Sequence, residues 1–277
     1  MESPVDRRKA LKTIGGLSAV LAGGAAAGVA ADRYLRSGDS AARTEKPAPA
    51  LATAKPSDRA RGHGMITWAV ETRKKLIALT FDDGPVPNYT PLVLDALDEE
   101  KVPATFFLVG RTLTRNPKIL DGRIDRHEIG NHSWLHKSLN DLGDYEAVRT
   151  DLTQAHEAIA KITGREVRLL RPPFGHLGAV PMRVADGLGY RVVLWSQGVV
   201  EASFQKDPDS VIPYVVDNVT PGTIFLAHDA VNTYEPVFLR RLGPIIRQLR
   251  AKGYEFVTVS DLMAEREEGA TLITTKG

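Results

Sequence analysis

The sequence predicts an α/β fold built on a parallel sheet. From about residue 66 onward, short apolar runs of strand character alternate with amphipathic stretches, and this alternation is typical of consecutive βα units. No repeat is visible beyond the alternation itself. The seven apolar runs cover residues 76–81, 104–109, 127–130, 167–170, 191–195, 223–227 and 255–259.

Helix signals lie between these runs. Thr90 followed by Pro91 combines a helix-capping residue with a proline at the first helical position. Apolar residues recur at spacings of three and four over 145–162, and Gly164 is placed to end that helix. Further helices are predicted over 181–188, up to Gly189, and over 237–249, up to Gly253.

The composition is that of an ordinary globular protein. Of the 277 residues, 43% are hydrophobic and 25% are charged, which allows one large domain or two small ones. The chain has no cysteine, so disulfides, thiolate metal sites and thiol nucleophiles are excluded. Any metal must therefore be held by histidines and carboxylates.

The first 31 residues have the layout of an export signal. Arg7, Arg8 and Lys9 precede an uncharged stretch over 13–31 that is rich in Ala and Gly and ends in small residues. The paired arginines indicate twin-arginine export, so we expect an extracellular or cell-wall-associated protein. The alternative is an uncleaved membrane anchor, because the uncharged stretch is nearly long enough to span a bilayer.

Composition and patterning divide the rest of the chain. Residues 32–65 are rich in Ala and Pro and are expected to form a flexible linker, 66–265 the folded domain, and 266–277 a C-terminal tail. Without residues 1–31 the chain is formally neutral. That balance excludes nucleic acid as an expected partner, and membrane contact is expected only through an uncleaved N-terminal segment.

Polar candidates share one position relative to the predicted strands, since each follows the carboxyl end of a strand. Loops converge at that edge of a parallel sheet or α/β barrel, and functional sites are built there. Scattered structural residues would have no reason to share it. The candidates are Asp82 and Asp83 after the first run, His132 and His136 after the third, Arg171 after the fourth and His228 after the sixth.

Two acids and two imidazoles in this arrangement favour a metal-dependent hydrolase. One carboxylate and two histidines suit zinc or a similar metal and leave a coordination position for water, while the second acid is free to move protons. Each motif alone has a simpler interpretation. The Asp-Asp-Gly-Pro segment at 82–85 is a serviceable turn, and His132 and His136 could be surface or core residues. Arg171 could likewise be an ordinary surface ion pair, and His228 a buried, hydrogen-bonded histidine.

Four ordered segments resemble the polysaccharide deacetylases that share a NodB homology domain, also called carbohydrate esterase family 4. They read Thr80-Phe81-Asp82-Asp83-Gly84-Pro85, His132-Ser133-Trp134-Leu135-His136, Arg171-Pro172-Pro173-Phe174-Gly175 and Leu226-Ala227-His228-Asp229. The resemblance covers roughly residues 71 to 265 and implies a distorted (β/α)7 barrel, a divalent metal cofactor and an acetylated polysaccharide substrate. The 66–265 domain is therefore expected to be a deacetylase catalytic domain.

The resemblance also implies a role for each residue. Asp83, His132 and His136 would bind the metal, with zinc the leading candidate. Asp82 would be the general base, and His228 the acid that protonates the leaving amine. The other implied roles are pairing with the base for Arg171, an oxyanion donor at the backbone N–H of Phe174, and a substrate pocket lined by Pro173, Phe174, Trp195 and Leu226.

The chain departs from the family pattern after the fifth predicted strand. There the family usually carries aspartates followed by a tryptophan, which orient and tune the catalytic histidine, whereas residues 195–202 read Trp-Ser-Gln-Gly-Val-Val-Glu-Ala. Gly198 and Ala202 cannot do those jobs. Glu201 could supply the orienting carboxylate with a longer reach.

The leading expectation is a secreted, metal-dependent hydrolase that removes N-acetyl groups from an amino-sugar polymer, with bacterial peptidoglycan ahead of chitin. The export signal and the linker favour the cell wall. Two alternatives stay open. One is a non-catalytic carbohydrate-binding homologue in which the altered segment has ended turnover, and the other is a deacylase of O-acetyl xylan or of a small amide.

Overall fold

The computed structural model describes residues 66–230 and 234–265. The predicted export signal, the linker and the C-terminal tail lie outside these residues. Among the helices of the described ranges, none has the length and apolar composition needed to cross a bilayer.

The described ranges contain nine strands and seven α-helices, which alternate through most of the chain. The strands are β1 Ile66–Thr67, β2 Leu76–Asp82, β3 Thr105–Leu108, β4 Glu128–Asn131, β5 Leu169–Leu170, β6 Arg191–Val193, β7 Gln197–Gly198, β8 Thr223–His228 and β9 Glu255–Phe256. The helices are α1 Thr90–Glu100, α2 Gly110–Arg115, α3 Tyr145–Thr163, α4 Ala179–Gly187, α5 Val211–Asn218, α6 Val237–Ala251 and α7 Val259–Ala264. Each of the seven predicted runs overlaps a strand, so the α/β prediction is confirmed, and β2, β4 and β8 extend one residue further than predicted, to Asp82, Asn131 and His228.

The strands form one sheet in the order β1-β6-β5-β4-β3-β2-β8-β7, with β9 beside β2, and they pair in parallel. The two ends of this order are joined by the segment that runs from β6 to β7. Strand β6 pairs with β1 and β5, and three residues later, after 194–196, the chain continues as β7, which pairs with β8. The N–H of Leu194 donates to the carbonyl of Thr67 at 2.8 Å, and the N–H of Ser196 to that of Ile224 at 3.1 Å. The sheet therefore closes into a distorted α/β barrel, as the resemblance implied.

Strand β2 shows how the barrel positions a site. Its side chains point alternately toward the helices and toward the barrel interior. Ile77 and Leu79 belong to the large apolar cluster that includes residues of α1 and α6, whereas Ala78 belongs to a second cluster with residues of β3, β6 and β8. The side chains of Thr80 and Asp82 point to the same side of the sheet as Ala78, and both residues are buried. The barrel interior is therefore apolar in its middle and polar near the carboxyl ends of the strands.

Helix α3 follows its sequence signals closely. Asp144 precedes it and accepts the N–H of Ala147 at 2.9 Å, which caps the first turn. Gly164 ends it with a φ of 67°. The helix predicted over 145–162 is thus confirmed.

Some predicted ends differ from the structure. The last predicted strand stops at Phe256, and Val259 instead begins α7, because the hydroxyl of Thr258 accepts the N–H of Asp261 at 3.2 Å and caps that helix. The fourth predicted strand is reduced to Leu169–Leu170. Strands β1 and β7 were not predicted, since two residues are too few for an alternating pattern to show.

Candidate active site

Arg171 lies inside the barrel directly after β5, with none of its side chain exposed. Its guanidinium donates to Oδ1 of Asp82 at 2.7 Å and stacks on the ring of Phe107 at 4.1 Å. Its other acceptors are Oγ1 of Thr80 at 2.7 Å and the carbonyl oxygens of Leu194 at 2.9 Å and Val193 at 3.2 Å. Burial lowers the pKa of Arg171, and the charge of Asp82 opposes that effect. The surface ion pair considered for Arg171 is therefore wrong, because the pair is buried and solvent screens it little.

Asp83, His132 and His136 come together as a possible metal site. One ligand atom from each lies within 4.8 Å of the other two, and all three side chains are buried. Oδ1 of Asp83 lies 2.9 Å from Nε2 of His136 and 3.4 Å from Nε2 of His132. The three residues predicted as metal ligands therefore converge on one point.

The hydrogen bonding of these residues fits a divalent cation. Nδ1 of His132 lies 2.6 Å from the carbonyl of Arg171, which can only accept, so Nδ1 donates and Nε2 is left facing Asp83. Burial alone would raise the pKa of Asp83, but His136 and His132 hold that pKa well below its usual value. Oδ1 of Asp83 and Nδ1 of His136 are buried without a hydrogen-bond partner in the described part of the chain. A carboxylate and two imidazoles with an unpartnered oxygen are a donor set that zinc or a similar ion accepts.

Side chains from outside hold the segment between the two histidines. Asp151, on α3, accepts the N–H groups of Trp134 at 2.8 Å and of Leu135 at 3.1 Å. Oδ1 of Asn131, at the end of β4, accepts the N–H of Ser133 at 2.8 Å. The ligand-bearing segment is thus fastened to both the barrel and α3.

Strand β8 brings His228 next to Asp82. The parallel pairing sets Asp82 opposite His228 and Thr80 opposite Leu226, so these four side chains point to the same side of the sheet. Leu226 is buried and His228 is half-buried. The structure therefore brings together the predicted base, the predicted acid and one predicted pocket residue.

A wall of the site is formed by the turn after β5. Phe174 has a φ of 61°, and its ring centre lies 4.9 Å from that of His136. Gly175 has a φ of 66°, and a Cβ atom there would lie 2.8 Å from the ring of Trp195. Pro173 is buried, while Phe174 and Trp195 are half-buried. Of the predicted pocket residues, Phe174 therefore lies beside a metal ligand, and Trp195 packs against the turn that carries it.

Two buried acids were not singled out from the sequence as site residues. Asp229 accepts the hydroxyl of Thr90 at 2.5 Å, and its own N–H donates to the carbonyl of Asp82 at 3.1 Å. Burial, reinforced by the nearby acids, raises the pKa of Asp229 to about 7. Asp151 is the other. An acid on the apolar face of a helix, or at a strand end beside a candidate catalytic residue, is the signal that would have found them.

Glu201 makes its hydrogen bonds away from His228. Both of its carboxylate oxygens lie 3.3 Å from the backbone nitrogen of Phe238, at the start of α6, and burial raises its pKa to about 7. Within 66–230 and 234–265, no hydrogen bond or ion pair joins Glu201 to His228. Gly198 lies so close to β8 that a Cβ atom would be 3.2 Å from the carbonyl oxygen of Leu226. The altered segment is therefore fastened to β8 and α6.

Residues 69–193 match the family model for polysaccharide deacetylase. Over 209 residues the chain is 37% identical to a peptidoglycan-N-acetylglucosamine deacetylase of Bacillus cereus, a match that covers 72% of this chain and 93% of that protein. It is 34% identical over 200 residues to the peptidoglycan-N-acetylmuramic acid deacetylase PdaA of Bacillus subtilis, covering 71% and 74% of the two chains.

Solved structures show the same fold. The crystal structure of the Bc1960 peptidoglycan N-acetylglucosamine deacetylase has a TM-score of 0.67 and 29% identity, covering 73% of this chain and 95% of that one. BA3943 of Bacillus anthracis, a family 4 pseudoenzyme, has a TM-score of 0.66 and 25% identity, covering 74% and 70%. The chain therefore belongs to the polysaccharide deacetylase family, metal-dependent carbohydrate esterases of family 4 that hydrolyse carbon–nitrogen bonds other than peptide bonds.

Proposed function

We propose that this protein removes N-acetyl groups from the amino sugars of bacterial peptidoglycan, with zinc as its metal. The observation that carries this proposal is the arrangement around Asp82. This buried carboxylate is bound by Arg171, lies beside the Asp83, His132 and His136 cluster, and is paired in register with His228. The names of the relatives from B. cereus and B. subtilis support peptidoglycan as the polymer.

The metal site has one task in this reaction. Asp83, His132 and His136 would hold a divalent ion, which would supply Lewis acidity that makes a water easier to deprotonate and an acetyl carbonyl easier to attack. The chain prepares the ligands for it. The carbonyl of Arg171 fixes the orientation of the His132 ring, and the two histidines keep Asp83 ionised.

Asp82 is suited to take a proton from the attacking water. Its Oδ1 accepts from Arg171 at 2.7 Å, whereas its Oδ2 lies 3.8 Å from Nε2 of His132. The first oxygen is therefore occupied by a permanent cation, and the second faces the ligand cluster. A carboxylate held in this way acts as a general base without having to reorient.

His228 is suited to deliver a proton to the leaving amine. It lies on the same side of the sheet as Asp82, and its half-buried imidazole is reachable by substrate. An amine departs poorly unless it is protonated, so the reaction needs an acid at this place. Leu226, Trp195 and Pro173 form the apolar wall for the acetyl methyl group, and the backbone N–H of Phe174 is the proposed oxyanion donor.

The cellular setting of the proposal is the cell wall. The twin-arginine-type segment over 1–31 and the Ala- and Pro-rich linker over 32–65 would place the catalytic domain outside the membrane, within reach of peptidoglycan. This part of the proposal is carried by the sequence and by the relatives that act on peptidoglycan.

One alternative is favoured by a specific observation. Glu201 bonds to α6 instead of His228, so the acid has no carboxylate partner from this segment. A family 4 pseudoenzyme is among the proteins with a similar fold. A carbohydrate-binding protein that no longer turns over its ligand is therefore the second candidate.

A measurement of acetate release distinguishes the deacetylase from the non-catalytic carbohydrate-binding protein. The full chain is incubated with acetylated peptidoglycan and with acetylated chito-oligomers, after loading with zinc and after treatment with a chelator, and Asp82→Asn serves as the matched inactive control. We expect acetate from peptidoglycan with zinc, loss of release on chelation, and recovery when zinc is restored. Glycan binding without acetate release would favour the alternative, and release that ignores the chelator would contradict the metal-dependent mechanism.

A further inference from the structure

Every backbone N–H from His132 to His136 has an acceptor. The N–H of His132 donates to the carbonyl of Leu108 in β3 at 2.9 Å, and the N–H of His136 to Oγ of Ser133 at 3.0 Å. The three remaining N–H groups, those of Ser133, Trp134 and Leu135, donate to side chains of Asn131 and Asp151. Four of the five acceptors are therefore side chains. The carbonyls of Ser133 and Trp134 also accept the N–H groups of Gly110 at 3.0 Å and of Arg111 at 3.3 Å, so these side chains and the start of α2 together hold the segment.

This segment needs such support because of its backbone conformation. Ser133 has a φ of 70° and His136 a φ of 52°, which are left-handed conformations in residues that carry a Cβ atom. Each costs about 1–2 kcal/mol relative to the ordinary conformations. Contacts elsewhere must therefore hold the segment, or the imidazoles of His132 and His136 will not converge on Asp83.

Asp151 provides the strongest of these contacts. The residue is only 6% exposed, and each of its two carboxylate oxygens accepts one N–H, from Trp134 at 2.8 Å and from Leu135 at 3.1 Å. Hydrogen bonds to a carboxylate are stronger than those to a neutral acceptor. Because Asp151 belongs to the 19-residue helix α3, it anchors the middle of the segment to a rigid element.

We infer that Asp151 is a positioning residue for the metal site and raises its affinity by holding the segment that carries His132 and His136. Asp151 lies outside the four motifs of the family. Its hydrogen bonds go to the backbone of Trp134 and Leu135 and not to the atoms of Asp83, His132 or His136 that would bind the metal. The inference rests on the proposed metal-dependent function. It predicts that the ligands lose their pre-organisation when the carboxylate is removed, although all three ligands are still present.

The test compares Asp151, within α3, with Asp144, the residue that caps the start of the same helix. Asp151→Asn keeps the size of the side chain but turns an amide N–H₂ toward one of the two N–H groups. Asp144→Ala removes the cap of α3, where Oδ1 accepts the N–H of Ala147 at 2.9 Å, far along the helix from the ligand segment. Both variants are expected to lower the thermal stability of the metal-free chain, so the control accounts for general destabilisation of α3.

Zinc affinity is measured on the full chain by competition with a chromophoric chelator. We expect the dissociation constant to rise about 10- to 100-fold for Asp151→Asn and to stay unchanged for Asp144→Ala. Wild-type affinity in Asp151→Asn, or an equal loss in Asp144→Ala, would overturn the inference. If circular dichroism shows that metal-free Asp151→Asn does not fold, Asp151→Ala is measured instead, and wild-type affinity in that variant, which also lacks the carboxylate, overturns the inference.

The result also separates this inference from the proposed function. A wild-type chain that binds zinc but releases no acetate contradicts the proposed function, while the ratio of the two dissociation constants still decides the role of Asp151. A wild-type chain without measurable zinc affinity contradicts both.

Discussion

Arg171 donates a hydrogen bond of 2.7 Å to Asp82, and neither side chain is more than 3% exposed. The pair joins the end of β2 to the end of β5 through the barrel interior. Two charges in such a place are stable only together, since either alone would be a buried charge without compensation. The same contact leaves Oδ2 of Asp82 free toward the ligand cluster.

Removing the cation should cost much more stability than the loss of one hydrogen bond. Arg171→Met is expected to lower the free energy of unfolding by about 3–5 kcal/mol, because the carboxylate of Asp82 stays buried without a partner. The cost should shrink when Asp82→Asn is also present. Urea unfolding of both single variants and of the double variant measures this coupling. Arg149→Met, which removes an exposed pair with Glu146, is the control and should cost less than about 1 kcal/mol.

Substitution of the general base and substitution of a metal ligand should have different effects on the metal content of the protein. Asp82→Asn is expected to retain zinc and to lose activity by about 10²–10⁴-fold, because the amide cannot take a proton. His132→Ala is expected to lose zinc, since it removes one of three ligands. Metal analysis of the purified proteins, beside acetate release, checks both. The assignment is wrong if the two variants retain the metal equally or lose it equally.

Gly175 should be required for its space as well as for its backbone conformation. In Gly175→Ala the new Cβ would lie 2.8 Å from Trp195, so the turn that carries Phe174 must move. Gly164→Ala is the matched control, because its φ of 67° is almost the same and no atom lies within 4 Å of its Cβ position. Each should lose about 1–2 kcal/mol of stability from the left-handed conformation.

Only Gly175→Ala should also lower acetate release, by about 10²-fold if the turn is displaced by about 1 Å. Steady-state kinetics of the two variants test this. Equal activities in Gly175→Ala and Gly164→Ala would show that the contact with Trp195 does not position the site.

We expect Glu201 to affect the stability of the fold in acidic solution more than it affects the rate of the reaction. Burial raises its pKa from 4.5 to about 7, so the folded chain binds this proton more tightly than the unfolded chain. Its contribution to stability is therefore complete below about pH 4.5 and is lost as the pH rises to about 7. In Glu201→Gln the melting temperature should depend less on pH within that window, whereas the exposed control Glu146→Gln should behave like the wild type.

The same variant tests whether Glu201 tunes the acid. Since its carboxylate bonds to the N–H of Phe238, we expect Glu201→Gln to keep the shape of the pH–rate profile. A displaced basic limb would show that Glu201 acts on His228 after all.

The predictable parts of the fold were those with a local signal. The seven apolar runs correctly located seven strands, and the spacing over 145–162 with Gly164 located α3 almost to the residue. Strands β1 and β7 exist because β6 and β8 offer them free backbone groups, which is a property of the closed barrel and leaves no pattern in two residues.

For the site, the sequence by itself determined the chemistry: which acids and imidazoles are present, and that they lie at the carboxyl ends of several strands of a parallel sheet. Those are local properties of residue type and spacing. Only the tertiary structure decided that Arg171 is buried against Asp82, that Glu201 bonds to α6, and that Asp151 holds the ligand segment. Each of these contacts depends on which side chain or backbone group a distant element presents, and the packing of the elements determines that.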